Sequence, residues 1–506
     1  MESGDTAAMR HYSPFSIQKK GTMNLRYKNK LLAVAAGAAL LTATGCKKFL
    51  DVNENPNSPV SATDNLVLPS TQAAIGMAVG NNLQVFGSLY AQYYTQNPLS
   101  SQYKGIEQYN SAPSSFDRVW GILYNDALED IKLLEASRNP NYVGIALIEK
   151  AYTFQLLTDA FGDIPLKDAL QGNQLLAPRY DPQREVYDSI FAWTKRGISL
   201  VGSSTIYPGT DDLVFGGGAT GMTRWKQFGN TLLLRAYLRL SEVDAAKAQA
   251  GIQSLYATSP IFLTTDARIS YQNVGGNQNP LYAEGVGLGR TQNLVASNTA
   301  VNAFAANNDP RLKALYTVNT SGNVVGIPQG SYATQTAAEP SYPTAITGAN
   351  FASSTVAASA PVKLISAAES YFLQAEAAAR GWTSGNVQTL FQNGIKASFD
   401  ALSISAADYN TYIASALDAQ LPAGQQGQVR AIITQKYYAM AGFQGFEAWT
   451  EWRRTGYPTF LVKSQASVLG SSALPARLSY PETEITRNTA FPGVKPVTDR
   501  VWWDIN

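Results

Sequence analysis

Carboxylates are the groups through which this chain could do chemistry, because imidazole and thiol are almost absent from it. The 506 residues hold one histidine, His11, and one cysteine, Cys46. Both fall within or at the edge of a leader that is expected to be removed. Without histidine, Ser-His-Asp and Cys-His catalysis and His/Cys zinc centres are excluded. Glu369 and Glu376 lie seven apart on one expected helix, roughly 10 Å along its axis. Glycoside hydrolysis wants two carboxyl groups about 5 to 9.5 Å apart across a cleft, but the Ala-rich face of this helix points to packing. Asp159 and Asp163 flank Phe161-Gly162 at a helix end, where capping or loop hydrogen bonding outweighs catalysis. Calcium would want more alternating oxygen ligands. No catalytic residue, metal or cofactor is expected.

Two arginine pairs stand out: Arg235 with Arg239 at i,i+4, and Arg453-Arg454 just after Trp449 and Trp452. Such pairs form ion pairs or stack on rings; an anion site is the sharper reading. Gly216-Gly217-Gly218 lacks the lysine and flanking strand of a phosphate loop and reads as a turn. Aromatic residues beside amides are the better binding signal. Tyr93, Tyr94, Asn97, Tyr103 and Tyr109 form one cluster; Tyr271, Asn277, Tyr282 and Arg290 form a second. Rings that stack on sugar faces, with amides and guanidinium bonding hydroxyls, are what carbohydrate binding needs. The competing reading is that the rings pack against helices with their hydroxyls satisfied.

Positioning these residues falls to a chain that begins with an export signal. Arg26, Lys28 and Lys30 precede an apolar run, Leu31 to Ala43. The run suits a signal h-region of about 7–15 residues and is too short to cross a bilayer. Ala43-Thr44-Gly45-Cys46 resembles a bacterial lipobox, which makes Cys46 the expected lipidation site. Residues 23–45 are then the lipoprotein signal, 46–59 a lipidated Asn/Pro-rich tether, and 1–22 a misassigned start or an extra extension. Six of the 39 cations and two of the 37 acids precede Cys46, leaving 33 against 35. Nothing in this balance suggests nucleic acid.

The remaining 60–506 reads as one mainly α domain with a loop-rich insertion at about 260–363. Helices are expected over Asn65–Tyr94 (its end leaving the helical pattern), Phe116–Ser137, Tyr142–Phe161, Asp181–Leu200, Thr223–Ser241 and Val243–Tyr256. Antiparallel pairs with short connections suggest helical repeats. In the insertion, Ile269–Tyr271 looks β-like, Leu294–Ala306 helical, and Asn319–Asn323 a hairpin turn. Helices resume over Ser366–Arg380, with Gly381 as cap, and over Val387–Leu402, Ala406–Leu417 and Gln426–Ala441. Pro475–Trp503 reads as an extended tail.

Taken together, the motifs resemble the SusD/RagB family of outer-membrane nutrient-binding lipoproteins, in the SusD-like branch with a C-terminal WWD. The matching pieces are Cys46-Lys-Lys-Phe-Leu-Asp51 with Asn55-Pro56; Thr158-Asp-Ala-Phe-Gly-Asp-Ile-Pro165; Trp225-Lys-Gln-Phe-Gly-Asn230 running into Leu234-Arg235; Asn308-Asp-Pro-Arg-Leu312; and Ala375-Glu-Ala-Ala-Ala-Arg-Gly-Trp382. Further on come Gln435-Lys436, Glu447-Ala-Trp449, Arg453-Arg-Thr-Gly-Tyr-Pro458, Pro475-Ala-Arg-Leu-Ser-Tyr-Pro481 with Glu484 and Asn488, and Val501-Trp-Trp-Asp504. They span nearly the whole chain beyond Cys46.

The resemblance implies tetratricopeptide-like helix pairs as scaffold, with long irregular loops and a few short β-hairpins. It implies capture of glycans without hydrolysis, and a SusC-like TonB-dependent β-barrel partner over which the protein sits as a lid, lipid-anchored in the outer membrane and exposed at the surface. It places ligand contacts in Tyr93–Asn110 and Tyr271–Arg290, hence Tyr93, Tyr94, Asn97, Tyr103, Tyr271, Tyr282 and Arg290. Three other readings stay open: peptide as ligand, a purely protein-binding scaffold, and a lipid-anchored carboxylate hydrolase.

Overall fold

Ile75, Leu83, Phe86 and Leu89 recur at helical spacing, and the stretch that carries them is helical throughout. It comprises α1 (Asp64–Ala78), a π-helical turn (Val79–Leu83) and α2 (Gln84–Tyr90). The computed structural model describes residues 63–334, 339–352 and 354–506. Cys46, the signal and the tether lie outside the described residues. Thr63–Asn506 makes up a single compact unit.

The second helical run also contains a π-helical stretch, Ile122–Leu128, between α3 (Asp117–Gly121) and α4 (Glu129–Glu135). Asn139 lies between this run and the next helix. Its side chain accepts from the Asn141 amide and Pro140 takes the first helical position, so the pair starts α5 (Pro140–Phe161). Next come α6 (Gln183–Leu200), α7 (Gly218–Arg239) and α8 (Ala245–Tyr256). Gly144 near the start of α5 meets Gly197 and Val201 at the end of α6, so this pair runs antiparallel at close range.

The insertion supplies α9 (Pro280–Gly287), α10 (Asn298–Ala306) and α11 (Arg311–Leu315). The C-terminal half adds α12 (Ala367–Ala379), α13 (Val387–Ala401), α14 (Ala406–Ser415), α15 (Gln425–Met440) and α16 (Gly445–Thr455). Ser366 caps α12 by accepting from the Glu369 amide, and Gly381 ends it at φ +72°. The helix pairs are those of a tetratricopeptide-like scaffold, as the motifs imply. Most of the apolar interior is one continuous core; a smaller one, around Phe372, Phe391, Phe399 and Tyr412, fills α12 to α15.

The β content differs from the expected hairpins. Among the described residues three two-stranded antiparallel ribbons form, and two join distant segments. β1 (Tyr94–Gln96) pairs with β5 (Leu294–Ala296), and β4 (Ala267–Ile269) with β6 (Val362–Ile365); only β2 (Ile164–Pro165) and β3 (Tyr180–Asp181) are near in sequence. The expected helix Leu294–Ala306 is therefore strand at its start and helix only after Ser297, whose hydroxyl accepts from the Thr299 amide. The Asn319–Asn323 turn forms, with Asn319 accepting from the Ser321 and Asn323 amides. Its flanks pair with residues 341–343 rather than with each other.

α2 and α16 cross with their backbones almost touching. A Cβ on Gly87 would lie 2.1 Å from the Phe446 nitrogen, and one on Gly445 would lie 2.3 Å from the Ser88 hydroxyl. Backbone cannot yield as a flexible side chain can. Gly87→Ala is expected to cost about 3 kcal/mol in urea unfolding, whereas Gly275→Ala, with nothing within 4 Å of its added Cβ, leaves stability unchanged. Equal stability of the two variants contradicts the close crossing.

Candidate functional site

The first predicted tyrosine cluster is tied to the segment that follows the second. β1 pairs with β5, the Asn97 amide donates to the Gln292 carbonyl at 2.7 Å, and Asn293 donates to Gln102 at 2.9 Å. The rings, however, face inward. Tyr93 is fully buried, donates to the Tyr437 carbonyl and lies 4.5 Å from the Tyr437 ring. Tyr94 packs edge-on against Tyr316, and the Tyr109 hydroxyl accepts from the Ser464 amide at 3.0 Å. Asn97, Tyr103 and Tyr282 are buried as well. These residues build the platform and show no face to solvent. A tyrosine in a loop gains as much by burying its ring and bonding its hydroxyl to a carbonyl as by facing outward, and sequence cannot tell the two apart.

Of the second cluster, Tyr271 and Arg290 are half-buried and Asn277 is exposed. Arg290 and Arg118 both grip Glu284 at 2.6 Å. Burial alone would raise the Glu284 carboxyl; its bonds to Asn81 and Arg118 hold it below the usual range.

The carboxylates first considered for chemistry are held inside the protein. Arg239 bonds both oxygens of Glu447, at 2.6 and 2.7 Å, and also meets Asp159 and Glu451. Arg454 bonds both oxygens of Glu376 at 2.7 Å and Glu451 at 2.6 Å. Lys436 sits 3.3 Å from Glu451 and 3.7 Å from Glu369. Asp159 also accepts from Tyr187 at 2.6 Å and from the Trp503 indole at 2.8 Å. Burial pushes Glu369 up, while Arg454 and Lys436 outweigh burial at Glu451 and pull it well down. Glu369 and Glu376 are thus engaged by cations within the core.

A groove with binding chemistry opens behind the platform. It has a volume of about 650 Å³ and runs between α10, residues 328–329, Asp418, α15 and residues 460–465. Phe460 is half-buried and lies near-parallel to Tyr438, with centroids 6.4 Å apart and planes at 22°. Asp418 accepts from the Tyr438 hydroxyl and the Asn307 amide, each at 2.7 Å. Asn298, Asn302 and Gln465 line the same groove, and their side-chain amides have no hydrogen-bond partner among the described residues. A second cavity of about 360 Å³ shares Asp418 and Phe460 with the first, which lengthens the groove.

Gln92 joins the walls of this groove to the end of α2. Its side-chain oxygen accepts from the Thr299 hydroxyl at 2.8 Å and the Val462 amide at 3.1 Å, and its nitrogen donates to the Val462 carbonyl. It does so from a left-handed backbone at φ +61°, a strain that the surrounding bonds must hold. Gln329, which lines the groove, donates to buried Glu107 at 2.6 Å. The sequence reading missed Phe460, although it follows Tyr457-Pro458 by two. It also missed Asn298 and Asn302, whose i,i+4 spacing on α10 was the available signal.

The chain matches the SusD-like family model, described as starch-binding and associating with the outer membrane, over residues 56–481. No curated protein matches it. Among solved structures it is similar to a chitin-binding protein, at 23% identity and a TM-score of 0.73 over 88% of this chain and 100% of that one. A chitin-binding SusD homologue from Flavobacterium johnsoniae gives 22% and 0.71 over 87% and 99%. A SusD homologue from Bacteroides uniformis gives 22% and 0.70 over 87% and 99%. At these identities the likeness is one of fold. Among the described residues no helix is long and apolar enough to cross a membrane.

Glu107 gives the groove's support a pH dependence. Burial pushes its carboxyl up to about 7 from 4.5, against the pull of the Thr95 hydroxyl and the Gln96 amide. The folded protein therefore holds this proton more tightly than the unfolded chain. The contribution to stability is complete below about pH 4.5 and is lost as pH rises through about 7. Between about pH 5 and about pH 8 the native protein is expected to lose about 3 kcal/mol that Glu107→Gln does not lose. Parallel pH profiles of urea unfolding would contradict this.

Proposed function

The chain belongs to the SusD-like family, and on that premise we propose that it binds oligosaccharide at the outer cell surface without hydrolysing it and delivers it to a SusC-like TonB-dependent β-barrel. The proposal includes a lipid anchor at Cys46, which intact mass of the mature N-terminus checks.

The observation that carries the binding reading is the groove. Phe460 offers a ring on which the C–H face of a sugar can stack, and Asn298, Asn302 and Gln465 offer amides in the same groove. Each amide both donates and accepts, as a sugar hydroxyl does. The volume lies within the range of about 300–1,000 Å³ typical of ligand sites, and the adjoining cavity suits a chain rather than a monosaccharide. The ligand-facing role read from Tyr93–Asn110 is proposed instead for this groove, which those residues support from behind. Tyr271 and Arg290 are proposed as further contacts for a longer ligand or for the barrel. The family description names starch and two similar structures are of chitin-binding proteins, so fragments of both are the first probes.

Phe460→Ala is expected to weaken calorimetric binding of the retained oligosaccharide about tenfold or more, and Asn302→Ala to weaken it several-fold, with the melting temperature little changed. The wild-type protein should release no reducing sugar. Unchanged affinity in both variants would move the site elsewhere. Release of reducing sugar would favour a hydrolase, and retention of peptides but not glycans would favour the peptide reading.

A further inference from the structure

A second groove, of about 750 Å³, lies on different elements: the turn before α7, the first part of α7, β4, α12 and α13. Its chemistry is unlike that of the first. Arg224 on α7 and Arg268 on β4 both line it and both are exposed. Arg268 points outward by strand alternation, since Ala267 and Ile269 on either side are buried. Neither arginine has an ion-pair partner among the described residues.

Each acid in the groove is ion-paired with a lysine rather than with an arginine. Asp266 is bound to Lys363 at 2.8 Å, and its other oxygen accepts from the Ala367 amide at 2.9 Å. Lys363 outweighs burial and holds the Asp266 carboxyl below its ordinary range. Asp400 is paired with Lys396. Arg268 also acts on Asp266 through space, but neither guanidinium is held in an ion pair among the described residues, and the cations that line the cavity outnumber its acids. The hydroxyls of Thr264, Thr265 and Ser270 add donors on either side of β4, and half-buried Tyr371 supplies a ring.

We infer that this groove is a second binding site, for a carboxylate or sulfate group carried by a saccharide. A guanidinium fork matches the two oxygens of a carboxylate or sulfate and bonds them in parallel. Two forks in one cavity select for charge where the Phe460 groove selects for stacking and neutral hydroxyls. The saccharide half of the inference rests on the proposed function; the anion half rests on the arginines alone. An acidic polymer could then meet the protein at two places, its sugar faces at Phe460 and its charges at Arg224 and Arg268.

The test titrates the full chain with trigalacturonate, with its methyl ester and with sodium sulfate. Trigalacturonate is expected to bind, and Arg224→Ala and Arg268→Ala each to weaken it about tenfold, while the ester, equal in shape but uncharged, binds poorly. Sulfate should compete, and affinity should fall as salt rises. The arginines carry no internal ion pair, so both variants should melt as the wild type does. Phe460→Ala should leave the arginine dependence in place. Equal binding of acid and ester, indifference to both substitutions, or no binding of trigalacturonate would overturn the inference. Sulfate binding that trigalacturonate does not displace would overturn its saccharide half. If neutral oligosaccharides fail to bind while trigalacturonate still needs both arginines, the assignment of saccharide binding to the Phe460 groove fails and this site stands.

Discussion

Charge buried away from water must find its partner, and that constraint orders this molecule. Asp159 on α5, Arg235 and Arg239 on α7, Glu369 and Glu376 on α12, Lys436 on α15, and Glu447, Glu451 and Arg454 on α16 meet in the core. All are almost wholly excluded from solvent. Bringing so many charges inside gains little net stability, because desolvation offsets most of the attraction. Losing one partner is another matter, since it strands a charge at a cost of about 3–5 kcal/mol. A helix that slid by one turn would strand several at once. The network therefore acts on register more than on stability. It also sets the groove: Tyr438 follows Lys436 by two residues on α15, and Phe460 follows Arg454 by six beyond α16.

The same constraint explains what could be read in the sequence. The motifs that carry the family resemblance are largely those of the buried polar interior. Trp225 donates to Asp212 at 2.9 Å. Arg311 bonds Asp309 and Gln435 in a fully enclosed site. Arg453 lies over the Trp449 and Trp503 rings and donates to the Asp159 carbonyl. A buried charge tolerates few substitutes, so such residues form recognisable patterns. Long helices were legible for a related reason, as Ile145, Ile148, Tyr152 and Leu156 on α5 must keep helical spacing to stay in the core.

Four features were not legible. β1 with β5 and β4 with β6 are short pairings across long stretches of chain, with no turn signal to announce them. Leu294–Ala306 has apolar residues that serve a strand or a helix equally well over its first turn, and tertiary pairing with Tyr94–Gln96 decided the matter. The tyrosines of the first loop cluster were ambiguous because a ring beside an amide is equally good as core or as binding face. Exposed residues that line the groove, such as Asn302 and Gln465, escape notice for the opposite reason, since no packing requirement marks them.

The central claim is that a rigid ionic scaffold presents residues 298–307 and 460–465 as a saccharide groove. Hydrogen exchange of the full chain, with and without a neutral oligosaccharide that it retains, tests this most directly. Added protection should concentrate in those two segments, while the amides of α7, α12 and α16 around the buried charges stay slow in both states. Protection confined to Tyr93–Asn110, or none in either groove segment at saturating ligand, would contradict it.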